Sequence, residues 1–302
     1  MNRIAEDQVT QKQLNRLAAQ RQLYSEAKNI QALQLTLTVP VVILLSFVVA
    51  AYPNLKMLSV VWGLVITLLD VAVFVPWQRA RKSTAAKNQE LFDCDVLHME
   101  WLPLKNSAMP APEIVQEAAD RYRRKDPSLA TVKNWYPPVV TSLPLEWARL
   151  ICQRMNTWWD AKLRQRYSAW IFVMLIALTI TVLLFGLVGG MTLEKFLLTV
   201  VAPLAPAFVL GIRQSNENKD AVESLERIRG HVEGLWANAL QNKIKGHELD
   251  VASRQLQDEI FNQRRSSPLI FDWVYRLLIR EQDSRMNKSA AELVEEAGKA
   301  AL

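Results

Sequence analysis

The chain has 302 residues, half of them hydrophobic and 22% charged, with a net charge of +6. A Lys/Arg excess of that size, not gathered in one tail, argues against a DNA or RNA polymer as partner and for topology and attraction to anionic lipid. Two cysteines, Cys94 and Cys152, with no CxxC or Cys/His ligand spacing exclude a disulfide scaffold and fit a reducing cytosol.

Residues 1–31 are polar, with Leu14, Leu17, Tyr24 and Ile30 at roughly helical spacing among Lys12, Arg16, Arg21 and Lys28. They predict a cytosolic amphipathic helix and no cleavable signal peptide. Residues 32–52, ALQLTLTVPVVILLSFVVAAY, form a first apolar block with Pro40 marking a kink. A very short turn at Pro53, Asn54 and Lys56 leads to a second block at 57–77, MLSVVWGLVITLLDVAVFVPW. Together they predict a tight helical hairpin. Asp70 lies near its inner end and suits either a pore-lining, gating carboxylate or an interhelical hydrogen bond.

Residues 78–166 contain no spanning block and carry fifteen Lys and Arg, whereas the outer turns carry only Lys56 and Lys195. That asymmetry places this insert and both termini on the cytoplasmic side. Within it, 91–102 (LFDCDVLHMEWL) predicts a strand, and 139–143 a second extended piece. A short helix is expected at 113–124, and a long one from 145. On a strand Asp93 and Asp95 face one side, His98 and Glu100 the other. One metal site from these four is therefore not expected.

The stretch WARLICQRMNTWWDAKLRQRY at 147–167 runs without a helix breaker into SAWIFVMLIALTITVLLFGL at 168–187. Some twenty residues without an ionisable group cover roughly 30 Å at ~1.5 Å per residue, the thickness of a bilayer's hydrocarbon core. A movement of the charged half would pass mechanically into the apolar half. Residues 196–212 form a shorter fourth block, kinked at Pro203 and Pro206. Residues 214–262 predict a charged helix or helical pair, with Leu225, Ile228, Val232, Leu235 and Ala239 at heptad-like spacing, suited to packing within or between subunits. A short amphipathic helix at 269–280 suits docking on the insert or lying on the membrane surface.

The expected fold is a mainly α membrane protein: four transmembrane helices in two hairpins, a cytosolic α/β insert and a C-terminal helical region. The divisions fall at 1–31, 32–77, 78–168, 169–212 and 213–302. No nucleotide-loop, Rossmann, zincin or nucleophile-elbow pattern is present, and three histidines give little support to general-base catalysis, so no enzyme is expected. The informative cluster is Arg149, Arg154, Asn156, Trp158, Trp159, Asp160, Arg164 and Arg166, with Trp135 and Tyr136 upstream. Guanidinium groups pair with phosphates, aromatic faces stack on bases, and Asn reads a base edge, so the set suits a small nucleotide. It equally suits an aromatic and basic belt at the headgroup level, and Asp160 and Arg164 sit at salt-bridge spacing on one helix.

Four segments carry a family resemblance: LAAQRQLYSEAK at 17–28, FDCDVLHMEW at 92–101, ICQRMNTWWDAKLRQRY at 151–167 and SPLIFDWVYRLL at 267–278. In that order, and with two hairpins around a cytosolic insert, the chain resembles the SMODS-associated four-transmembrane effectors of bacterial cyclic-oligonucleotide anti-phage signalling. The resemblance implies a homo-oligomer in the bacterial inner membrane that binds a cyclic oligonucleotide as its activating ligand, uses no cofactor, and permeabilises the lipid bilayer. A constitutive small ion channel or transporter, and a membrane-anchored scaffold for a soluble partner, are the alternatives.

Overall fold

The computed structural model describes residues 2–190, 192–278 and 282–300. The side chains at 46, 47, 50, 51, 53, 56, 185, 195, 198, 199, 203, 206, 207, 275, 276, 278, 282–284 and 300 lie outside that description. In chain order come α1 (Ile4–Asp7), α2 (Gln11–Thr38), α3 (Pro40–Ala51) and α4 (Lys56–Leu69). A π-helical turn, Asp70–Phe74, leads into α5 (Val75–Val96), followed by α6 (Pro103–Asn106), α7 (Pro112–Arg123) and α8 (Leu145–Val188). After α9 (Leu193–Phe196) and a second π turn (Leu197–Val201) come α10 (Ala202–Leu240), α11 (His247–Ser266), α12 (Asp272–Leu278) and α13 (Gln282–Ala300).

Composition changes sharply along four of these helices, but the backbone does not break there. The change at 31/32 falls within α2, that at 77/78 within α5, that at 168/169 within α8 and that at 212/213 within α10. Helix α8 alone has 44 residues, about 66 Å at ~1.5 Å per residue. Three helical runs, Gln11–Leu45, Met57–Val96 and Leu145–Val188, are long and apolar enough to cross a membrane. Their most apolar windows bury only 0%, 11% and 6% of their residues inside the protein, so the apolar halves stand bare. The segment 196–212 has a helical backbone, but the side chains of Pro203 and Pro206 lie outside the described residues.

The polar halves build one core. Helix α2 packs along α5, and α8 along α10, as two antiparallel pairs, with α7 on α2 and α11 across α5, α8 and α10. Leu17, Leu23, Phe92, Leu97, Leu150, Ile151 and Leu249 are fully buried in it. Ile228, Val232 and Ala239 point into the same core with Leu235 packed against it, and Leu225 is buried beside the cavity described below, so the heptad-like run of α10 packs within the chain. Pro40 sits at the first position of α3, and the hydrogen bonds Val39 N–H to Leu35 O (2.9 Å) and Ile43 N–H to Val39 O (3.0 Å) continue on either side of it.

The α/β insert is overturned: no strand occurs among the described residues. Residues 91–96 are the last turns of α5, and 139–143 lie mostly in a 3₁₀ helix, Pro138–Ser142. The helix reading wins because Ala85, Asn88, Leu91, Phe92 and Val96 recur on one face that the core buries, and burial outweighs the weak local preference of a few β-permissive residues. The consequence for the acidic run is geometric. On a helix, Asp93 and Asp95 are turned well over a quarter-circle apart. Asp93 is fully buried, whereas Asp95 faces α2, where Lys12 (2.9 Å) and Arg16 (2.6 Å) bind it. His98 pairs with Asp7 at 2.9 Å. No group of three or more His, Cys, Asp or Glu gathers as a metal set among the described residues.

Where the first hairpin meets the polar core, Gln34 Nε2 donates to Asp70 Oδ1, and Gln78 Nε2 donates to Gln34 Oε1 at 2.5 Å. Asp70 thus makes the interhelical hydrogen bond that was one of its two readings, at the start of a π turn. In the second hairpin a Cβ at Gly211 would lie 2.7 Å from Leu175 Cδ2, so glycine lets α10 approach α8.

Two predictions follow from this packing. Gly211→Ile should destabilise the purified protein by about 1–3 kcal/mol through overpacking. Gly63→Ile, at a site with nothing within 4 Å, should leave the melting temperature unchanged or raise it. The second concerns Asp95. Burial alone would raise its pKa, but the hydrogen bond from Lys12 and the charge of Arg16 carry it below the usual carboxylate value. Its contribution is therefore present above the ordinary carboxylate range and lost as pH falls through the depressed folded value. The melting-temperature gap between wild type and Asp95→Asn should be open at neutrality and close on acidification.

Candidate functional site

A cavity of about 420 Å³ opens between α2, α8, α11 and the segment that follows α11. That volume falls in the ~300–1,000 Å³ range of small-ligand sites. Its chemistry is mixed in a specific way. Five cations line it, Arg21, Lys28, Lys133, Arg164 and Arg264, against two carboxylates, Asp160 and Asp272. Four aromatic rings, Tyr24, Trp135, Tyr136 and Trp159, and the amides of Gln20, Gln89, Asn134, Asn156, Gln263 and Asn287 line it as well, with the hydroxyls of Thr131, Thr157 and Ser267. Such a surface offers stacking faces, phosphate partners and base-edge donors and acceptors together.

Helix periodicity explains which predicted residues reach it. Asn156, Asp160 and Arg164 recur every four residues on one face of α8 and line the cavity, with Trp159 beside them, and Trp135 and Tyr136 line it from the preceding loop. Arg149, Arg154 and Trp158 do not line it. Arg149 caps the end of α5: its Nε and Nη2 donate to Leu97 O (2.6 Å) and His98 O (2.5 Å), while Nη1 pairs with Asp250. His98 there has a left-handed backbone, φ 52°, and Arg149 satisfies the carbonyls that the helix end leaves unpaired. Arg154 pairs with Glu233 at 3.2 Å and donates to Ser289. The expected Asp160–Arg164 ion pair forms at 3.0 Å, and Arg164 also donates to Asn218 (3.1 Å) and to Pro268 O (2.9 Å).

Beneath the cavity lies a buried charged network. Tyr136 O–H donates to Asp93 Oδ1 at 2.7 Å, and Asn156 Nδ2 donates to the same hydroxyl at 2.9 Å. Arg264 pairs with the other oxygen of Asp93 at 2.5 Å, and Gln257 donates to both Glu90 and Asp93. Arg254 closes the set on Glu90 at 2.8 Å. Gln8 clasps the Tyr136 backbone through its carbonyl (3.0 Å) and its N–H (2.8 Å). Burial drives the Tyr136 phenol well above its ordinary pKa, with the charge of Asp93 adding to it, and burial raises Tyr24 to about 12. Burial would lower Arg264, but the charges of Asp93 and Glu90 hold it protonated. Two buried polar atoms of cavity-lining residues, Gln20 Oε1 and Arg264 Nη2, have no hydrogen-bond partner. Unpaired buried groups of this kind call for an explanation, and a ligand carrying both donors and acceptors is one.

One wall is formed by residues 266–274, a strap running from the end of α11 into α12. Lys82 of α5 donates to Ser266 O (3.1 Å) and Ser267 O (3.0 Å). Arg164 of α8 donates to Pro268 O, and Gln214 of α10 donates to Leu269 O at 3.3 Å. Lys28 and Ser25 of α2 both bind Asp272, at 2.6 and 2.8 Å. Ile270 and Val274 pack on Leu163 and Tyr167, just before α8 turns apolar. The strap is therefore tied to all four helices that carry an apolar half.

Sequence reasoning missed the α2 and strap contributions. Gln20, Arg21, Tyr24 and Lys28 lie within 17–28, and Ser267 to Asp272 lie within 267–278, two of the four segments quoted above for the family resemblance. The signal was present as motif, but nothing in either segment shows that they meet.

Residues 2–293 match the family model described as the SMODS-associating 4TM effector domain. Over 202 residues the chain is 24% identical to a probable CBASS effector molecule of Bacillus cereus (strain VD146). That alignment covers 67% of this chain and 66% of the relative, so the chain spans a little under two thirds of the curated relative's length. No solved structure matches.

Tyr136→Phe removes the hydroxyl between Asn156 and Asp93 and should destabilise the protein by about 1–3 kcal/mol, read as a lowered melting temperature.

Proposed function

This chain belongs to the SMODS-associating 4TM effector family, and we propose that it is a membrane effector of bacterial anti-phage defence, activated by a cyclic oligonucleotide that binds the cavity. In this reading it has four spans in two hairpins, both termini in the cytoplasm, and acts without catalysis. It permeabilises the inner membrane as a homo-oligomer. The single observation that carries it is the strap. One wall of a cavity rich in cations, aromatics and amides is hydrogen-bonded to all four helices that continue into apolar segments. A ligand there touches the element through which every span is held.

The bare apolar windows support assembly, since helices that bury so little within one chain have faces left for lipid and for further copies. Asp70, engaged by Gln34 at a π turn, and Pro203 and Pro206, just after the other π turn, are the gating positions. π turns are local departures from helix geometry that concentrate at functional sites.

The full chain, reconstituted in phosphatidylethanolamine–phosphatidylglycerol vesicles, should release an entrapped dye when cyclic di-AMP, cyclic GMP-AMP or cyclic tri-AMP is added. The same nucleotide should raise the melting temperature, by about 2.7 kcal/mol of added stability at a hundredfold excess over Kd. Release that is complete without any nucleotide would favour the constitutive channel. If no nucleotide in the panel changes either readout, ligand gating is wrong.

A further inference from the structure

Asp272 is the half-exposed carboxylate at the start of α12. Its two oxygens are taken by two donors from one face of α2: Oδ1 by Lys28 Nζ at 2.6 Å and Oδ2 by Ser25 Oγ at 2.8 Å. Lys28 and Asp272 both line the cavity. A phosphodiester presents the same pattern, two equivalent acceptor oxygens on one centre with a single negative charge. Exchanging one for the other at Lys28 and Ser25 conserves both hydrogen bonds and the local charge balance. The exchange differs from a simple swap in one respect. The carboxylate belongs to the strap, and the phosphate does not.

We propose that Lys28 and Ser25 form a phosphate subsite of the cavity, occupied in the resting protein by the strap's own Asp272, and that a phosphodiester of the ligand displaces Asp272 and frees the strap from α2. This rests on the reading of the cavity as the nucleotide site. The strap keeps its ties to Lys82, Arg164 and Gln214 on α5, α8 and α10. What it loses is its hold on the helix that continues into the first apolar segment. The Lys28–Asp272 pair is partly desolvated: burial lowers the Lys28 pKa against the opposing charge of Asp272, and Lys28 carries Asp272 below its ordinary value although burial opposes this. An anion arriving from solvent therefore finds a cation whose alternative partner is another protein group rather than water.

A latch and a binding site make opposite demands on the two residues, which makes the proposal testable. Full-length wild type, Asp272→Asn and Lys28→Met are compared in lipid nanodiscs and vesicles, with the same three cyclic nucleotides as probes. Both substitutions break the latch, so both should raise nucleotide-free dye release. Asp272→Asn leaves the cation without its internal competitor and should bind the active probe about tenfold more tightly, because less of the protein is held in the closed form. Lys28→Met should bind it at least about tenfold more weakly, having lost a charge-assisted hydrogen bond. A purely structural ion pair would shift affinity in the same direction in both. Hydrogen exchange on the wild type provides a second readout independent of the variants' folding: the probe should slow exchange across 17–28 and speed it across 269–274. Slowed exchange in both segments would overturn the proposal, because the strap would then close on the ligand. Affinity unchanged in both variants overturns the proposal and leaves the nucleotide reading intact. A wild type that binds none of the probes overturns both.

Discussion

Four helices each carry a polar half and an apolar half on one uninterrupted backbone. A helix interior keeps every N–H paired to the carbonyl four residues back, so bending at the polar–apolar junction would break bonds on one side with nothing there to replace them. Displacement of the polar half is therefore carried into the apolar half rather than absorbed between them. The departures from this regularity are local: Pro40 between α2 and α3, and the two π turns at Asp70–Phe74 and Leu197–Val201. One π turn stands in each hairpin, where a helix must rotate or widen without ending.

Rigid levers need a fixed point, and the buried network supplies it. Glu90 and Asp93 are two fully buried carboxylates three residues apart on α5. Such a pair persists only with strong compensation, because desolvation and mutual repulsion both favour losing a charge. Here Arg254, Arg264, Gln257 and Tyr136 provide it from α11 and the loop before α8. Burial and the neighbouring Asp93 push Glu90 above the usual carboxylate range, so some of that tension remains. The network fixes the floor of the cavity to α5 and α11. The opposite wall, the strap, is held by hydrogen bonds to its main-chain carbonyls, by Lys28 and Ser25 on Asp272, and by the packing of Ile270 and Val274 on Leu163 and Tyr167. The floor's two carboxylates are fully buried, whereas the strap's Asp272 stays half exposed.

Membership of the family, the mixed cationic and aromatic lining and the strap's attachment to four helices converge on one functional picture. In the proposed reading, an anion bound in the polar core acts on the helices that line the cavity and, through the strap, on the helices that continue into apolar segments. The residues of the α8 cluster divide between two tasks. Asn156, Trp159, Asp160 and Arg164 face the cavity, while Arg149 and Arg154 do structural tasks at a helix end and against α10 and α13.

The sequence by itself determined the class of this protein: long apolar blocks, the Lys/Arg asymmetry, the helical hairpins and the continuity of 147–187 are all local signals that chain chemistry writes in one dimension. It offered one undivided cluster on α8; the four-residue spacing of Asn156, Asp160 and Arg164 puts these three on the side that lines the cavity, and Arg149, Arg154 and Trp158 do not line it. It misjudged 91–96, where a burial pattern created by α2 and α11 overrode a short β-permissive run. It did not show that Lys28 and Asp272, separated by most of the chain, touch. That contact, the burial of Asp93 rather than Asp95, and the strap that spans four helices depend on how distant segments pack. Only the tertiary structure decided them, since a site assembled from α2, α8, α11 and a loop has no period or spacing along the chain.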